Sequence, residues 1–149
     1  MDTKIKNAID RFDEGFSCSQ AVFSAFAETL GIGLETALKI SQPFGGGVAQ
    51  RGETCGAVAG AFLAIGLKYG RSKAEDIQAK EKTYEITKLF IQRFESAHDS
   101  ILCRELLGYD ISNPEEYDQA KREEAFKRLC PKYVETAAKI LLDLIDTPV

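Results

Sequence analysis

Apolar residues recur along this chain every three or four positions, the period of an amphipathic helix, and no segment alternates with the period of two that marks a strand. Ile5, Ala8, Ile9 and Phe12 form the first stripe, which Gly15 ends. Ser17 then reads as an N-cap, with Gln20 three residues on completing a capping box. The helix that follows runs to about Leu30 and carries Val22, Ala25, Phe26 and Thr29 on one side. A short helix over 34–42 stops at Pro43, and a glycine-rich loop, Phe44 to Gly52, leads into a small-residue helix over about 54–69. A long helix over 72–97 carries Ile86, Phe90, Phe94 and Ala97, and a shorter one over 100–107 ends at Gly108. Asn113 and Pro114 read as an N-cap followed by proline at the first helical position. They open a charged, peripheral helix over 114–127. The last helix starts at Pro131 and carries Val134, Ala137, Leu141 and Leu144. The pattern predicts a single all-α domain over 1–149, of seven or eight helices.

On this map each of the four cysteines, Cys18, Cys55, Cys103 and Cys130, opens a helix. A helix N-terminus carries partial positive charge and free N–H groups, and thiolates are stabilised there. Residues three and four apart share a face. Cys18 therefore lies with Val22 and Ala25, and Cys55 with Val58, Ala59 and Phe62. Cys103 lies with Leu106 and Leu107, and Cys130 with Val134, Ala137 and Leu141. Each cysteine heads an inward stripe at the rim of the core. One such cysteine is a packing group; four placed alike suggest a shared site. Cys55, beside a glycine and after a flexible loop, is expected to be the most reactive thiol.

Gly56 and Gly60 smooth one side of the helix after Cys55. Each glycine costs about 1 kcal/mol against alanine in a helix interior, so something must approach the backbone closely. Gly60 suits a tight helix–helix contact. Gly56 leaves a bare first turn beside Cys55 for a cluster, a substrate or a second cysteine. Gly45, Gly46 and Gly47 follow no strand and precede no Gly-Lys-Ser/Thr, so they form no P-loop; a mobile connector is expected. Arg51 reads as a solvated cation, and His98 as a cation at its helix end.

The chain has 149 residues, a net charge of −4 and one histidine. Its basic residues are scattered, which leaves no electrostatic footprint for nucleic acid. No apolar run approaches the roughly 20 residues of a membrane span, and Met1 to Lys6 has no secretory character. A cytoplasmic setting is expected, in which thiols stay mostly reduced. With one histidine, any metal site must rest on thiolates. No Cys-x-x-Cys pair occurs, so neither zinc knuckles nor a thioredoxin-type motif is present. Four isolated cysteines suit a [2Fe–2S] or other thiolate-bound metal centre, or redox-active thiol pairs.

At these residues the chain resembles the prokaryotic C_GCAxxG_C_C family of redox-active proteins, named for its cysteine pattern. Cys18, then Cys55-Gly56-Ala57-Val58-Ala59-Gly60, then Cys103 and Cys130 match that pattern, and Cys18-Ser19-Gln20-Ala21-Val22 and Phe44-Gly45-Gly46-Gly47 support it. The resemblance spans about residues 5–145. It implies a redox site at the four cysteines, in thiol–disulfide exchange or electron transfer. A related helical domain in certain electron-transfer cytochromes has its equivalent cysteines at an iron–sulfur centre, which implies cluster binding as the alternative. A third reading is a structural or interaction protein with packed cysteines. The redox partner, and whether the chain is an enzyme, stay open; a homo-oligomer is compatible with the sequence.

Overall fold

The computed structural model describes residues 2–146. Eight α-helices follow in chain order: α1 (Thr3–Glu14), α2 (Cys18–Ala27), α3 (Leu34–Ser41), α4 (Gly56–Tyr69), α5 (Ile77–His98), α6 (Cys103–Leu107), α7 (Pro114–Arg122) and α8 (Ala125–Asp146). Single 3₁₀ turns extend α2 and α3 over Glu28–Leu30 and Gln42–Phe44.

Local chemistry sets most of the boundaries. The Asp2 side chain accepts from the Lys4 N–H at 2.8 Å, and Gly15 closes α1 at φ 113°. Before α2, the Ser17 N–H donates to Gln20 Oε1 at 3.1 Å, the return half of a capping box. Asn113 accepts from the N–H groups of Glu115 and Glu116, with Pro114 at the first helical position of α7. The long helix α5 starts later than the periodicity suggests, because Asp76 caps it by accepting from Ala79 N–H.

The start of the last helix differs more. α8 begins at Ala125, immediately after Glu124 in the left-handed region at φ 55°, and Pro131 lies inside it. Proline lacks the N–H that would bond back to the Lys127 carbonyl, yet the helix continues. Ala125, Cys130, Tyr133, Val134, Ala137 and Leu141 keep one buried stripe on both sides of the proline. Burying such a stripe, at roughly 1.5–3 kcal/mol per large side chain, compares with the ~3 kcal/mol a helical proline costs. Cys130 is therefore an interior residue of α8 rather than the residue that opens it.

α2 is the central element: every residue from Ser19 to Ala27 is buried. It packs against α1, α3, α4 and α8, and α5 covers α4 and α8. The α2–α4 contact is backbone-close. A Cβ placed on Gly60 would lie 2.6 Å from the Ser19 carbonyl oxygen. Phe26, Phe90, Phe94, Ile65 and Leu141 centre the main core. A smaller apolar cluster, holding Cys103, Leu107, Ile111, Ala120, Ala125 and Cys130, lies beside it. Cys55 belongs to the main core, and Cys18 packs against both. Among the described residues no helix is long and apolar enough to cross a membrane.

Candidate functional site: a cavity lined by four thiols

A cavity of about 550 Å³ opens at the seam between the two apolar clusters, and all four cysteines line it. Different local devices bring each one there. Cys18 is the first residue of α2, and Cys55 is the N-cap of α4. Cys103 is the first residue of α6, a helix of five residues. A short ladder joins the last two. Thr54 and Leu102 form an antiparallel bridge, the Cys55 N–H donates to the Ile101 carbonyl at 2.7 Å, and the Cys103 N–H donates to the Glu53 carbonyl at 2.6 Å. Cys130 reaches the cavity from the side of α8, on one face with Phe126 and Tyr133.

All four are free thiols; Cys18 is half-buried and the others are buried. Cys18 and Cys130 lie close enough for each thiol to shift the ionisation of the other. The Cys130 side chain, burial and the neighbouring thiols raise Cys18. The Cys18 side chain lowers Cys130, against the opposing effect of burial. Burial pushes Cys55 up to about 11, although the N–H groups of Val58 and Ala57 pull it down. Burial, with the charges of Cys55 and Cys130, pushes Cys103 up to about 12. The helix-end effect expected for Cys55 is thus present but outweighed. The thiol most disposed to ionise is Cys130, whose activation comes from another cysteine.

The glycine-rich segment forms a fixed wall. Gly46, Gly47, Val48, Ala49 and Gln50 all have φ between 50° and 71°, one turn of left-handed backbone. That conformation costs roughly 1–2 kcal/mol per non-glycine residue. Backbone bonds hold it: Gln50 N–H to the Gly45 carbonyl at 3.1 Å, Gly52 N–H to Gly46 at 3.1 Å and Glu53 N–H to Gly47 at 2.9 Å. A Cβ on Gly47 would meet Cys103 Cβ at 2.7 Å. The expected mobile connector is instead a strained, hydrogen-bonded turn seated on a cysteine.

Gly56 lies against the site, where an added Cβ would be 3.2 Å from Cys18 Cβ and 3.2 Å from the Phe44 carbonyl oxygen. Arg51 points elsewhere and pairs with Glu53 at 3.3 Å on the surface. His98 ends α5, with Nε2 2.8 Å from Thr136 Oγ1 and its ring between those of Phe94 and Tyr133. Burial first, then Lys132, lowers its pKa, so its helix-end position does not favour the cation. His98 does not line the cavity.

The aromatic wall, made by Phe12, Tyr117, Phe126 and Tyr133, is the part that sequence reasoning missed. Phe126 and Tyr133 carry a signal in hindsight, since they stand four before and three after Cys130. Four thiolates are the donor set that a [2Fe–2S] centre takes. Among the described residues, however, no three His, Cys, Asp or Glu side chains are grouped to hold a metal ion. As arranged, the sulfurs do not fit a metal centre.

A family model described as "Putative redox-active protein (C_GCAxxG_C_C)" matches residues 16–144. The match covers most of the chain, and the chain belongs to that family. No curated protein and no solved structure matches it.

Proposed function

We propose that this member of the C_GCAxxG_C_C family works by dithiol–disulfide chemistry, with Cys18 and Cys130 as the pair that cycles between the two states. The observation that carries the reading is the convergence of the cysteines on one cavity, where the Cys18 and Cys130 thiols shift each other's ionisation, Cys18 upward and Cys130 downward. Closing a dithiol to a disulfide requires a thiol disposed to ionise and a second thiol within reach. Cys130, the thiol shifted down, supplies the attacking sulfur. Cys18, the more accessible of the two, supplies the second sulfur. Closing the pair breaks two S–H bonds and forms one S–S bond, and the two electrons and two protons pass to a two-electron acceptor, diamide in the test below. Cys55 and Cys103 stay protonated at neutral pH and form the apolar floor that keeps the pair out of water. A cytoplasmic setting, where a dithiol is kept reduced, suits this chemistry.

The test is a disulfide map. Reduced protein is treated with one equivalent of diamide, free thiols are alkylated, and peptides are identified by mass. The expected product links Cys18 to Cys130 and leaves Cys55 and Cys103 alkylated. Four free thiols after treatment, or a predominant link between other cysteines, overturns the reading. Iron analysis of anaerobically purified protein separates the cluster alternative. A stoichiometric iron content with a visible thiolate-to-iron spectrum would favour a centre built by moving the same four sulfurs together.

A further inference from the structure

None of the twenty residues lining the thiol cavity is Asp, Glu, Lys, Arg or His. In a protein with 28% charged residues that exclusion has consequences for what enters. Moving an unpaired charge into an apolar site costs several kcal/mol, and no cation or carboxylate waits here to offset it. The net charge of −4 adds long-range repulsion against anions. Glutathione disulfide, which carries several carboxylates, is poorly matched on both counts. A folded partner's disulfide is matched no better, because the Cys130 side of the pair is only 7% exposed.

The walls favour a flat ring. Tyr117 and Phe126 stand with ring centroids 5.9 Å apart at 54°, and Phe12 and Tyr133 also face the cavity. The polar atoms on the walls are neutral: the Tyr117 hydroxyl, 3.4 Å from Gln50 Nε2, and the Ser17 hydroxyl, which donates to Gln20 Oε1 at 3.2 Å. The Tyr117 hydroxyl accepts from Gln50 and keeps its own proton to orient a carbonyl oxygen without demanding a charge; the Ser17 proton is already given to Gln20. A volume of about 550 Å³ lies in the range of small-molecule pockets, about 300–1,000 Å³.

We infer that the cavity admits a neutral two-electron acceptor of the quinone class, which oxidises the Cys18/Cys130 pair; this rests on the dithiol reading above. The two thiols lose two protons and two electrons and form one disulfide. The quinone takes both electrons, and its two oxygens take both protons, which gives a hydroquinone. No net charge is created or left behind, as an uncharged cavity requires.

The test uses wild-type, fully reduced protein under anaerobic conditions. Duroquinone is the neutral ring probe; its four methyl groups block addition of a thiol to the ring carbons. Glutathione disulfide is the charged probe. Each oxidation rate is divided by that probe's rate with free dithiothreitol, and the product is mapped by mass. The expected result is a normalised rate at least about ten-fold greater for duroquinone, one hydroquinone per Cys18–Cys130 disulfide, and loss of that product in Cys18→Ser. A normalised rate for glutathione disulfide equal to or above that for duroquinone overturns the quinone inference. So does failure of duroquinone where diamide still closes the disulfide; both results leave the dithiol reading standing. If diamide also fails to close the pair, both readings fall.

Discussion

The proposed dithiol chemistry turns on which sulfur gives up its proton, and there the neighbouring thiol outweighs the helix end. Cys55 has a helix start and two backbone N–H groups in its favour and still rises to about 11, because burial dominates. Cys130 has no helix end and is lowered by the Cys18 side chain beside it. At near-neutral pH, brief iodoacetamide treatment of the reduced protein is therefore expected to label Cys130 ahead of Cys55 and Cys103. In Cys18→Ala that thiol is gone, and the pH midpoint of Cys130 alkylation moves up. The plateau rate reports access, and the midpoint reports ionisation, so the widened opening left by alanine does not imitate the effect. An unmoved midpoint would show that the Cys18 thiol is not what lowers Cys130. None of this was legible in the sequence, since the effect links thiols near opposite ends of the chain.

Among the elements, α4 and the left-handed turn before it carry the site, and glycine has two separate duties there. Gly60 is a packing position: a Cβ would meet Ser19 backbone at 2.6 and 3.2 Å, which cannot step aside without parting α2 from α4. Gly60→Ala is expected to lower stability by about 1–3 kcal/mol, the usual cost of overpacking, less the roughly 1 kcal/mol alanine gains in a helix. Gly56→Ala meets Cys18 Cβ, the Phe44 carbonyl oxygen and the Ser19 nitrogen, all at 3.2 Å, looser contacts than the 2.6 Å at Gly60 but two of them with backbone. Its denaturation midpoint should fall less than that of Gly60→Ala while the alkylation midpoint of Cys130 rises. A stability loss in Gly56→Ala as large as in Gly60→Ala would erase this distinction. Ala49, exposed at φ 50°, isolates the strain of the turn. Ala49→Gly removes an αL penalty of roughly 1–2 kcal/mol and returns part of it through a freer unfolded chain. The expected net gain of up to about 1 kcal/mol would appear as a higher urea midpoint with an unchanged slope. The glycines announced close approach in the sequence. The turn itself did not, because Val48, Ala49 and Gln50 are residues that ordinarily avoid positive φ.

For the whole molecule, the helices were legible because their stripes are long and their caps are explicit, as at Ser17, Asn113 and Gly15. Convergence of the cysteines was legible only as a shared placement. The ladder that ties Cys55 to Cys103 is too short to leave a period, and Pro131 disguised the interior of α8 as a helix start. Placing four thiols in one apolar seam has a consequence for the entire fold at alkaline pH. Cys55 and Cys103 ionise at about 11 and about 12 when folded, against an ordinary 9.0. Their folded values are raised, so the stability present below about pH 9 is lost as pH rises through 11 and 12. Between about pH 9 and 11 the unfolded chain sheds both protons while the folded chain keeps them. Each thiol then costs about 1.4 kcal/mol per pH unit. Cys18, also raised, adds to the loss. Cys130, lowered, acts in the opposite sense: its contribution is present above the unfolded value and is lost as pH falls through the folded one. Stability should therefore fall steeply on the alkaline side. Urea unfolding at about pH 8 and about pH 10.5 measures the drop, and the double variant Cys55→Ala/Cys103→Ala removes the two buried thiols from it. Tyr69 and Tyr109 are common to both proteins and cancel; Tyr133, raised by burial and in part by Cys55 and Cys103, loses that part in the double variant, which acts in the same sense. The double variant starts less stable at about pH 8, having lost packing, but loses less on going to about pH 10.5. Equal losses in the two proteins would mean that the thiols are hydrated in the folded state, and that the cavity is not the dry, uncharged seam on which its choice of oxidant depends.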